Sequence, residues 1–359
     1  MTSIGDISSI FSAGRLLGCT VLIATKDDIK VRRFRDVIFI LFSMSLYFVS
    51  FIILLVYVLT HNDVDLKSML LLFTRVLLFY SCLFTDASLT TLWNWKIRSV
   101  LSQLHNFDRV TKYDNPVKRN RLRITCRIIV IVTFLYWAIA GYLTYRIEIR
   151  VPVFRGIVYF IMNTSVNTQI LIFAGILFLI GERFRHLCNI VTLSKEDKLI
   201  AANRSNGHLT LQQMWWLHCS LVNAAELINS VYAVQLLLWI SMMSINVLSR
   251  IYSLNVLRLS DFGKFRETML AIDCAINLTL ITTVCHMTAY QANRVGELIF
   301  SPYSSVSMKR VFLQEHLEIA AYFQLRKVHF FTIAGIIRVD LPLLLSIFSA
   351  VTTYLVILS

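Results

Sequence analysis

Residues 330–359, FFTIAGIIRVDLPLLLSIFSAVTTYLVILS, decide the fold class of this chain. From Asp340 onward almost every residue is apolar or carries a small hydroxyl group, which is the composition of a helix in lipid. The spacing of Ser346, Ser349 and Thr353 puts their hydroxyl groups on one face of that helix. Such a face suits either close contact between helices or the wet lumen of a pore that several copies share. The stretch therefore predicts a membrane helix and leaves two roles for its hydroxyl face.

The composition of the whole chain is that of a polytopic membrane protein. Of its 359 residues, 57% are hydrophobic and 16% are charged, and the mean hydropathy is +0.66. Soluble domains have about 45–50% apolar and about 25% charged residues. Basic loops held in the cytoplasm explain the net charge of +14, so we expect no nucleic-acid partner. The seven cysteines form no C-x-x-C motif, and the sequence contains no hydrolase, metalloprotease or phosphate-loop motif. We therefore expect neither an enzyme nor a cofactor nor a metal site.

Seven apolar runs are long enough to cross a hydrocarbon core about 30 Å thick. The N-terminal segment and the second, fourth and sixth loops hold 24 Lys and Arg residues, whereas the other three loops hold eight. By the positive-inside rule the N-terminus is cytoplasmic and the C-terminus extracellular. Helical patterns in 182–226 and 290–330 predict that helices continue below the membrane and pack there. The fold class is therefore an all-α membrane protein, with predicted spans 37–60, 69–92, 124–144, 156–180, 227–248, 269–289 and 331–358.

Ionisable residues inside the predicted spans are functional candidates, because an unpaired charge in lipid costs at least about 2.5–3.5 kcal/mol. Arg75, Asp86 and Asp273 are such residues. Each can either pair with a residue of another helix or bond a polar ligand. The outer halves of the spans are also rich in aromatic and amide side chains. These suit a small amphipathic ligand, and they suit ordinary packing as well. The predicted ligand-binding residues are Arg75, Trp137, Tyr159, Asn163, Trp239, Asn246 and Asp273.

The last stretch resembles a known family. Ala350–Leu358, AVTTYLVIL, is similar to the Thr-Tyr and following hydrophobic residues that close insect gustatory receptors, and Thr353 and Tyr354 carry that motif. Phe331–Leu344, with its Gly and Asp, is similar to the family's run into its last span. The resemblance implies a ligand-gated, non-selective cation channel in the plasma membrane of a sensory neuron. It implies a tetramer of this chain or of this chain with related receptors, a small-molecule tastant, and passage of Na⁺, K⁺ and Ca²⁺.

The resemblance also implies how the chain is divided. Gly335 and Pro342 are predicted to form a hinge, since Pro342 removes a backbone donor and bends or breaks a helix. The predicted pore-lining residues are Ser346, Ser349, Thr353 and Val356. The chain is divided into four parts. They are a cytoplasmic N-terminal segment (1–36), a six-helix membrane bundle with the ligand pocket in its outer half (37–289), cytoplasmic anchor helices (290–330) and a pore-lining last helix (331–359).

Other functions stay open from the sequence. A secondary transporter would use Arg75, Asp86 and Asp273, although no internal repeat is visible. An odorant receptor of the same superfamily differs mainly in the Thr-Tyr ending, and a G-protein-coupled receptor would have the opposite orientation. The family's Gln and Phe would follow Ser359, so a truncated receptor that does not conduct is a further expectation. The class of ligand, sugar or bitter compound, and the choice between homomer and heteromer stay undecided.

Overall fold

Helices account for almost all of the described residues, as the long apolar runs predict. The computed structural model describes residues 7–17, 29–60, 66–113, 116–147, 152–200, 210–256, 260–300 and 317–358. Within these ranges the α-helices are α1 (Ser8–Leu16), α2 (Ile29–Thr60), α3 (Leu66–Leu92), α4 (Asn94–Thr111), α5 (Pro116–Ile147), α6 (Pro152–Ile200), α7 (Leu211–Val256), α8 (Asp261–Phe300), α9 (Leu317–Leu325) and α10 (Leu341–Leu358).

Seven of these helices are apolar in the way that membrane spans are; six of them contain a predicted span, and α10 contains the larger part of the seventh. Among the described residues, α3, α5, α6, α7 and α8 are long and apolar enough to cross a bilayer. Helices α2 and α10 hold shorter apolar stretches, Leu41–Val56 and Leu341–Ile357. The prediction of an all-α membrane protein is confirmed, since every predicted span lies within or overlaps a long apolar helix.

Three helices are much longer than a bilayer is thick. Helices α6, α7 and α8 have 49, 46 and 40 residues. At about 1.5 Å per residue each is roughly 60–75 Å long, against a hydrocarbon core of about 30 Å. The predicted continuation of the helices is confirmed, because α6 runs on to Ile200, α7 begins at Leu211 and α8 runs on to Phe300. Apolar composition marks only the part of a helix that faces lipid, which is why the predicted spans are shorter.

The extended helix ends pack together into a second region, which we call the anchor. Its interior is apolar and continuous with the core of the membrane bundle, so one cluster of buried side chains runs through both. Because the same three long helices pass through both regions, a shift at one end can be carried to the other. The anchor consists of α4, α9, α6 from Gly181 onward, α7 up to Glu226 and α8 from Tyr290 onward.

Buried polar contacts fix the helices of the anchor to one another. The guanidinium of Arg183 on α6 donates to both carboxylate oxygens of Asp108 on α4, from Nε at 3.0 Å and from Nη2 at 2.8 Å. The imidazole of His218 on α7 lies with Nδ1 3.0 Å from the Tyr322 hydroxyl of α9 and with Nε2 3.1 Å from the Ala292 carbonyl of α8. Both side chains are 2% exposed, so neither contact competes with water.

The last predicted span begins too early. Phe331 and Arg338 pair as an antiparallel bridge, and the chain between them turns through a single 3-10 turn, Ile333–Gly335. Gly335 has a φ of +70°, a left-handed conformation that glycine adopts without a Cβ clash. The Phe331 amide donates to Oδ1 of Asn229 on α7 at 3.1 Å, which fastens this hairpin to the bundle. The residues before Leu341 therefore form a turn and not the start of the span.

Pro342 does not bend the last helix. Helix α10 begins at Leu341, so Pro342 lies in the first turn, where its missing N–H would be unpaired in any residue. Asp340 caps this turn, because its Oδ1 accepts the Leu343 amide at 3.2 Å while Oδ2 pairs with Arg338 at 2.9 Å. The interpretation of Pro342 as a break inside the span is wrong. The connection from the anchor to the last helix runs from Arg326 to Asp340 and includes Gly335, and the role of Gly335 and Pro342 as a hinge stays a prediction.

Candidate ligand site

A cavity of about 390 Å³ lies between six helices, in the half of the bundle opposite the anchor. Its walls come from α2, α3, α5, α6, α7 and α8, at the ends where α6 begins and α7 ends. Ligand pockets in helical proteins commonly lie between helices and combine apolar walls with a few polar groups. This cavity has that character, since Leu, Ile, Val, Met and Phe residues line it together with a cluster of charges.

One wall of the cavity is set by two glycines. A Cβ added to Gly141 on α5 would lie 2.8 Å from the carbonyl oxygen of Gly156 on α6, and the reciprocal distance from Gly156 is 2.9 Å. Only glycine permits backbones to approach this closely. The contact places Trp137, four residues before Gly141, beside Tyr159, three residues after Gly156, with ring centroids 6.2 Å apart. Both rings line the cavity.

A charged cluster forms where α7 and α8 approach each other. Arg250 donates Nη1 to Oε2 of Glu267 at 2.5 Å and Nη2 to the hydroxyl of Tyr159 at 3.3 Å. Arg266 donates Nε at 3.1 Å and Nη2 at 2.7 Å to the other oxygen of Glu267. Arg75, on α3, has Arg250, Glu267, Tyr159 and Arg266 as its electrostatic neighbours. Three guanidinium groups therefore surround one carboxylate in the cavity wall.

Asp273 lies elsewhere in the wall and is held by amides. Its two carboxylate oxygens lie 3.4 Å from Nδ2 of Asn167 on α6, and Oδ2 accepts Nδ2 of Asn277 at 3.0 Å. Asp273 is on α8, six residues after Glu267, so the two acids lie roughly 9 Å apart along the helix axis at 1.5 Å per residue. All four side chains line the cavity, which therefore has separate polar regions with apolar wall between them.

Six of the seven predicted ligand-binding residues line this cavity. They come from α3, α5, α6, α7 and α8, and the fold brings them together: Arg75, Trp137, Tyr159, Asn163, Asn246 and Asp273. Trp239 is not among the lining residues and is fully buried. Its Nε1 donates to Oδ2 of Asp86 at 3.1 Å, and Nε2 of Gln235 donates to Oδ1 of Asp86 at 3.0 Å. Trp239 and Asp86 thus form a structural contact between α7 and α3.

The sequence analysis missed four charged residues that line the cavity, Arg155 and the group Arg250, Arg266 and Glu267. It placed the last three in an external loop, because the predicted spans end at 248 and resume at 269. The helices run further, to Val256 on α7 and from Asp261 on α8. The missed signal was that these charges continue the helical spacing of the apolar residues next to them. One more helical turn added to each predicted span would have included all three.

The predicted pore-lining residues lie on the outer face of α10. Ser346, Ser349, Thr353 and Val356 are all exposed in the single chain. The opposite face of α10 packs against the bundle, with Val351 only 7% exposed. The hydroxyls of Ser346 and Thr353 donate to the carbonyl oxygens of Pro342 and Ser349, at 3.1 and 3.0 Å, which satisfies them within the helix. The hydroxyl face is therefore turned away from the rest of the chain.

Solved structures of an insect olfactory receptor have a similar fold. The chain is similar to the structure of the insect olfactory receptor OR5 from Machilis hrabei, with a TM-score of 0.66 at 13% identity, over 98% of this chain and 96% of that one. The structure of the same receptor in complex with eugenol gives a TM-score of 0.67 at 14% identity, over 98% and 97%. At this identity the likeness establishes the fold. Among curated proteins none matches the chain.

The family model described as 7tm chemosensory receptor matches residues 7–359. The match covers the membrane bundle with its cavity, the anchor and the last helix, so it does not depend on the closing motif alone. From its sequence and from its fold, the chain belongs to the 7tm chemosensory receptor family.

Proposed function

We propose that this protein is a chemoreceptor of the gustatory type, a non-selective cation channel that opens when a small molecule binds in the cavity between α2, α3, α5, α6, α7 and α8. The observation that carries the proposal is the cavity itself. Its wall combines apolar and aromatic side chains with charged ones, arginines above all, inside a membrane bundle. Apolar and aromatic walls with a few charged groups are the character of a small-molecule pocket, and charged residues inside a membrane bundle are costly unless a partner or ligand uses them.

The fold relative supports a small-molecule ligand. The olfactory receptor OR5 has a solved structure in complex with eugenol, an aromatic compound small enough for a cavity of this size. The comparisons fit an odorant receptor as well as a gustatory one. The resemblance of Thr353 and Tyr354 to the gustatory ending is what leads us to the gustatory type.

The last helix supports the channel part of the proposal. In a tetramer, the exposed hydroxyl face of α10 would line a central lumen, where Ser349 and Thr353 offer oxygen atoms to passing cations. Ligand binding would open this lumen only if the ligand has different affinity for the closed and open arrangements of the bundle. Helices α7 and α8 line the cavity and contact α10, so they provide the mechanical connection.

Voltage-clamp recording with thiol modification tests the proposal. The protein is expressed in oocytes, a panel of sugars, alkaloids and aromatic compounds is applied, and Ser349→Cys and Thr353→Cys are treated with a charged methanethiosulfonate. We expect ligand-evoked cation currents that the reagent blocks in both variants and leaves intact in Val351→Cys and in the wild type. Substrate flux without channel-like conductance would instead indicate a transporter, and block in Val351→Cys alone would contradict the assignment of the lumen.

A further inference from the structure

The charges that line the cavity do not balance. Among the described lining residues there are four arginines, Arg75, Arg155, Arg250 and Arg266, and two acids, Glu267 and Asp273. Glu267 is the carboxylate that Arg250 and Arg266 both bond, and Arg75 is its third cationic neighbour. The single negative charge of Glu267 therefore faces three positively charged guanidinium groups. Buried charge without a counter-charge is costly, so the cluster is suited to take up an anion.

Arg75 is the arginine of this cluster that nothing neutralises directly. Within the described part of the chain its guanidinium makes no hydrogen bond and no ion pair, whereas Arg250 and Arg266 both bond Glu267. Arg75 lines the cavity from α3, and its side chain is half-buried. Its five N–H donors are arranged in a planar fork that matches a carboxylate in two-point contact.

The other unsatisfied polar atoms of the cavity wall are donors as well. Nε1 of Trp137 and Nε of Arg250 are buried and have no hydrogen-bond partner among the described residues. The unpaired buried acceptors of the described residues belong to side chains outside the wall. Asp273 is separate from the arginine cluster, roughly 9 Å beyond Glu267 along α8, and its oxygens accept hydrogen bonds from Asn167 and Asn277. The fully buried polar atoms of the wall that lack a partner are thus both donors, and they lie beside a surplus of positive charge.

From this arrangement we propose that the cavity binds an anionic small molecule, a carboxylate or sulfonate attached to an aromatic body, with Arg75 as the residue that contacts the anionic group. The aromatic body would lie against the rings of Trp137 and Tyr159 and the apolar residues around them. The proposal rests on the proposed function, because it names the ligand class of the same cavity.

Matched pairs of ligands test this proposal. Each pair is an aromatic carboxylate and its neutral amide: phenylacetate and phenylacetamide, 3-phenylpropanoate and 3-phenylpropanamide, indole-3-acetate and indole-3-acetamide. Binding to the purified receptor is measured by thermal stabilisation and by calorimetry, and currents are recorded separately. We expect carboxylates to bind more tightly than their amides. In Arg75→Gln we expect the carboxylate affinity to fall about 10- to 100-fold, which is the effect of removing a hydrogen bond to a charged group.

The amides and a second arginine serve as controls. Affinity for the amide should change less than about threefold in Arg75→Gln, and Arg75→Lys should restore part of the carboxylate affinity because it restores the charge. Arg185→Gln, at an exposed arginine of the anchor, should leave every affinity unchanged. If Arg75→Gln weakens carboxylate and amide equally, or if no carboxylate binds more tightly than its amide, the proposal of an anionic ligand is wrong.

The two readouts separate this inference from the proposed function. If carboxylates bind with the expected dependence on Arg75 but no compound evokes a current, the anion site stands and the channel function fails. If amides or other neutral compounds bind and open the channel while carboxylates do neither, the channel function stands and the anionic ligand class fails.

Discussion

Single residues in this protein have roles that depend on which neighbour they bond. Trp239 is fully buried, and its indole N–H is one of the two donors that hold the Asp86 carboxylate. Trp239→Phe keeps a large ring but leaves one oxygen of a buried carboxylate without this donor. We expect the free energy of unfolding to fall by about 1–3 kcal/mol, seen as a lower midpoint temperature of the purified protein in detergent.

The matched control is the same substitution at Trp216, whose side chain is 57% exposed on the anchor. Trp216→Phe should leave the midpoint unchanged within error. Equal effects of the two substitutions would show that the bond to Asp86 contributes nothing measurable. If Trp239→Phe instead removed ligand binding at unchanged stability, Trp239 would belong to the ligand site, as the sequence analysis predicted.

His218 makes the stability of the anchor depend on pH. His218 lies in the anchor part of α7, outside the predicted membrane span. Burial lowers the pKa of His218 from 6.5 to about 4, because the charged imidazolium would lose its hydration in the interior of the anchor. Between pH 6.5 and 4 the unfolded chain binds a proton here that the folded chain does not. Stability is therefore full above pH 6.5 and falls as the pH drops towards 4, by about 3 kcal/mol for this group.

The measurement is the midpoint temperature of the wild type and of His218→Gln between pH 8 and 4.5. Glutamine can keep a donor towards the Ala292 carbonyl and an acceptor towards the Tyr322 hydroxyl and does not titrate. We expect the variant to lose less stability than the wild type below pH 6.5 and to match its slope above it. Parallel curves over the whole range would assign the acid sensitivity to other groups.

At the scale of helices, the approach of α5 to α6 is the contact that a small substitution disturbs most. A Cβ at Gly141 meets the backbone of Gly156 at 2.8 Å, and a backbone cannot rotate away as a side chain can. Gly141→Ala or Gly156→Ala must therefore push the helices apart. We expect each to lower the free energy of unfolding by about 1–3 kcal/mol and to weaken ligand responses, because Trp137 and Tyr159 move with these helices.

Gly175 provides the control for this prediction. It also lies in α6, but an added Cβ would first meet a side-chain atom of Ile7 at 3.7 Å, an ordinary contact. Gly175→Ala should be neutral or stabilising by up to about 1 kcal/mol, because alanine favours the helix. The measurement is the midpoint temperature of thermal denaturation of Gly141→Ala, Gly156→Ala and Gly175→Ala in the same detergent. Equal midpoints for Gly141→Ala and Gly175→Ala would show that the helices relax freely at the glycine contact.

For the whole molecule, the distribution of charge predicts its orientation in the membrane. The N-terminal segment and the second, fourth and sixth loops hold 24 Lys and Arg residues, against eight in the other three loops. We expect an epitope tag fused before Met1 to be labelled only in permeabilised cells, and a tag fused after Ser359 to be labelled on intact cells. The reverse pattern would place the cavity on the cytoplasmic side and remove the argument for an externally applied ligand.

The sequence by itself determined the class of fold, the number of apolar helices and their continuation into the anchor. These properties depend on hydropathy and helical periodicity, which are local along the chain. Local composition also identified Arg75, Asp273 and the aromatic residues as candidates, because charge and amphipathic rings are unusual inside a span. The same information failed at Phe331–Asp340, where apolar composition continues although the backbone turns.

Only the tertiary structure decided which of these residues share a site. Trp239 and Asp86 are 153 residues apart in sequence, and Arg250 and Tyr159 are 91 apart, so no local pattern pairs them. It also decided that the hydroxyl face of α10 is turned away from the rest of the chain and that Arg75 lies next to a carboxylate already shared by two other arginines. The physical reason is that side-chain partners are chosen by helix packing, which depends on contacts between distant segments and not on the composition of any one of them.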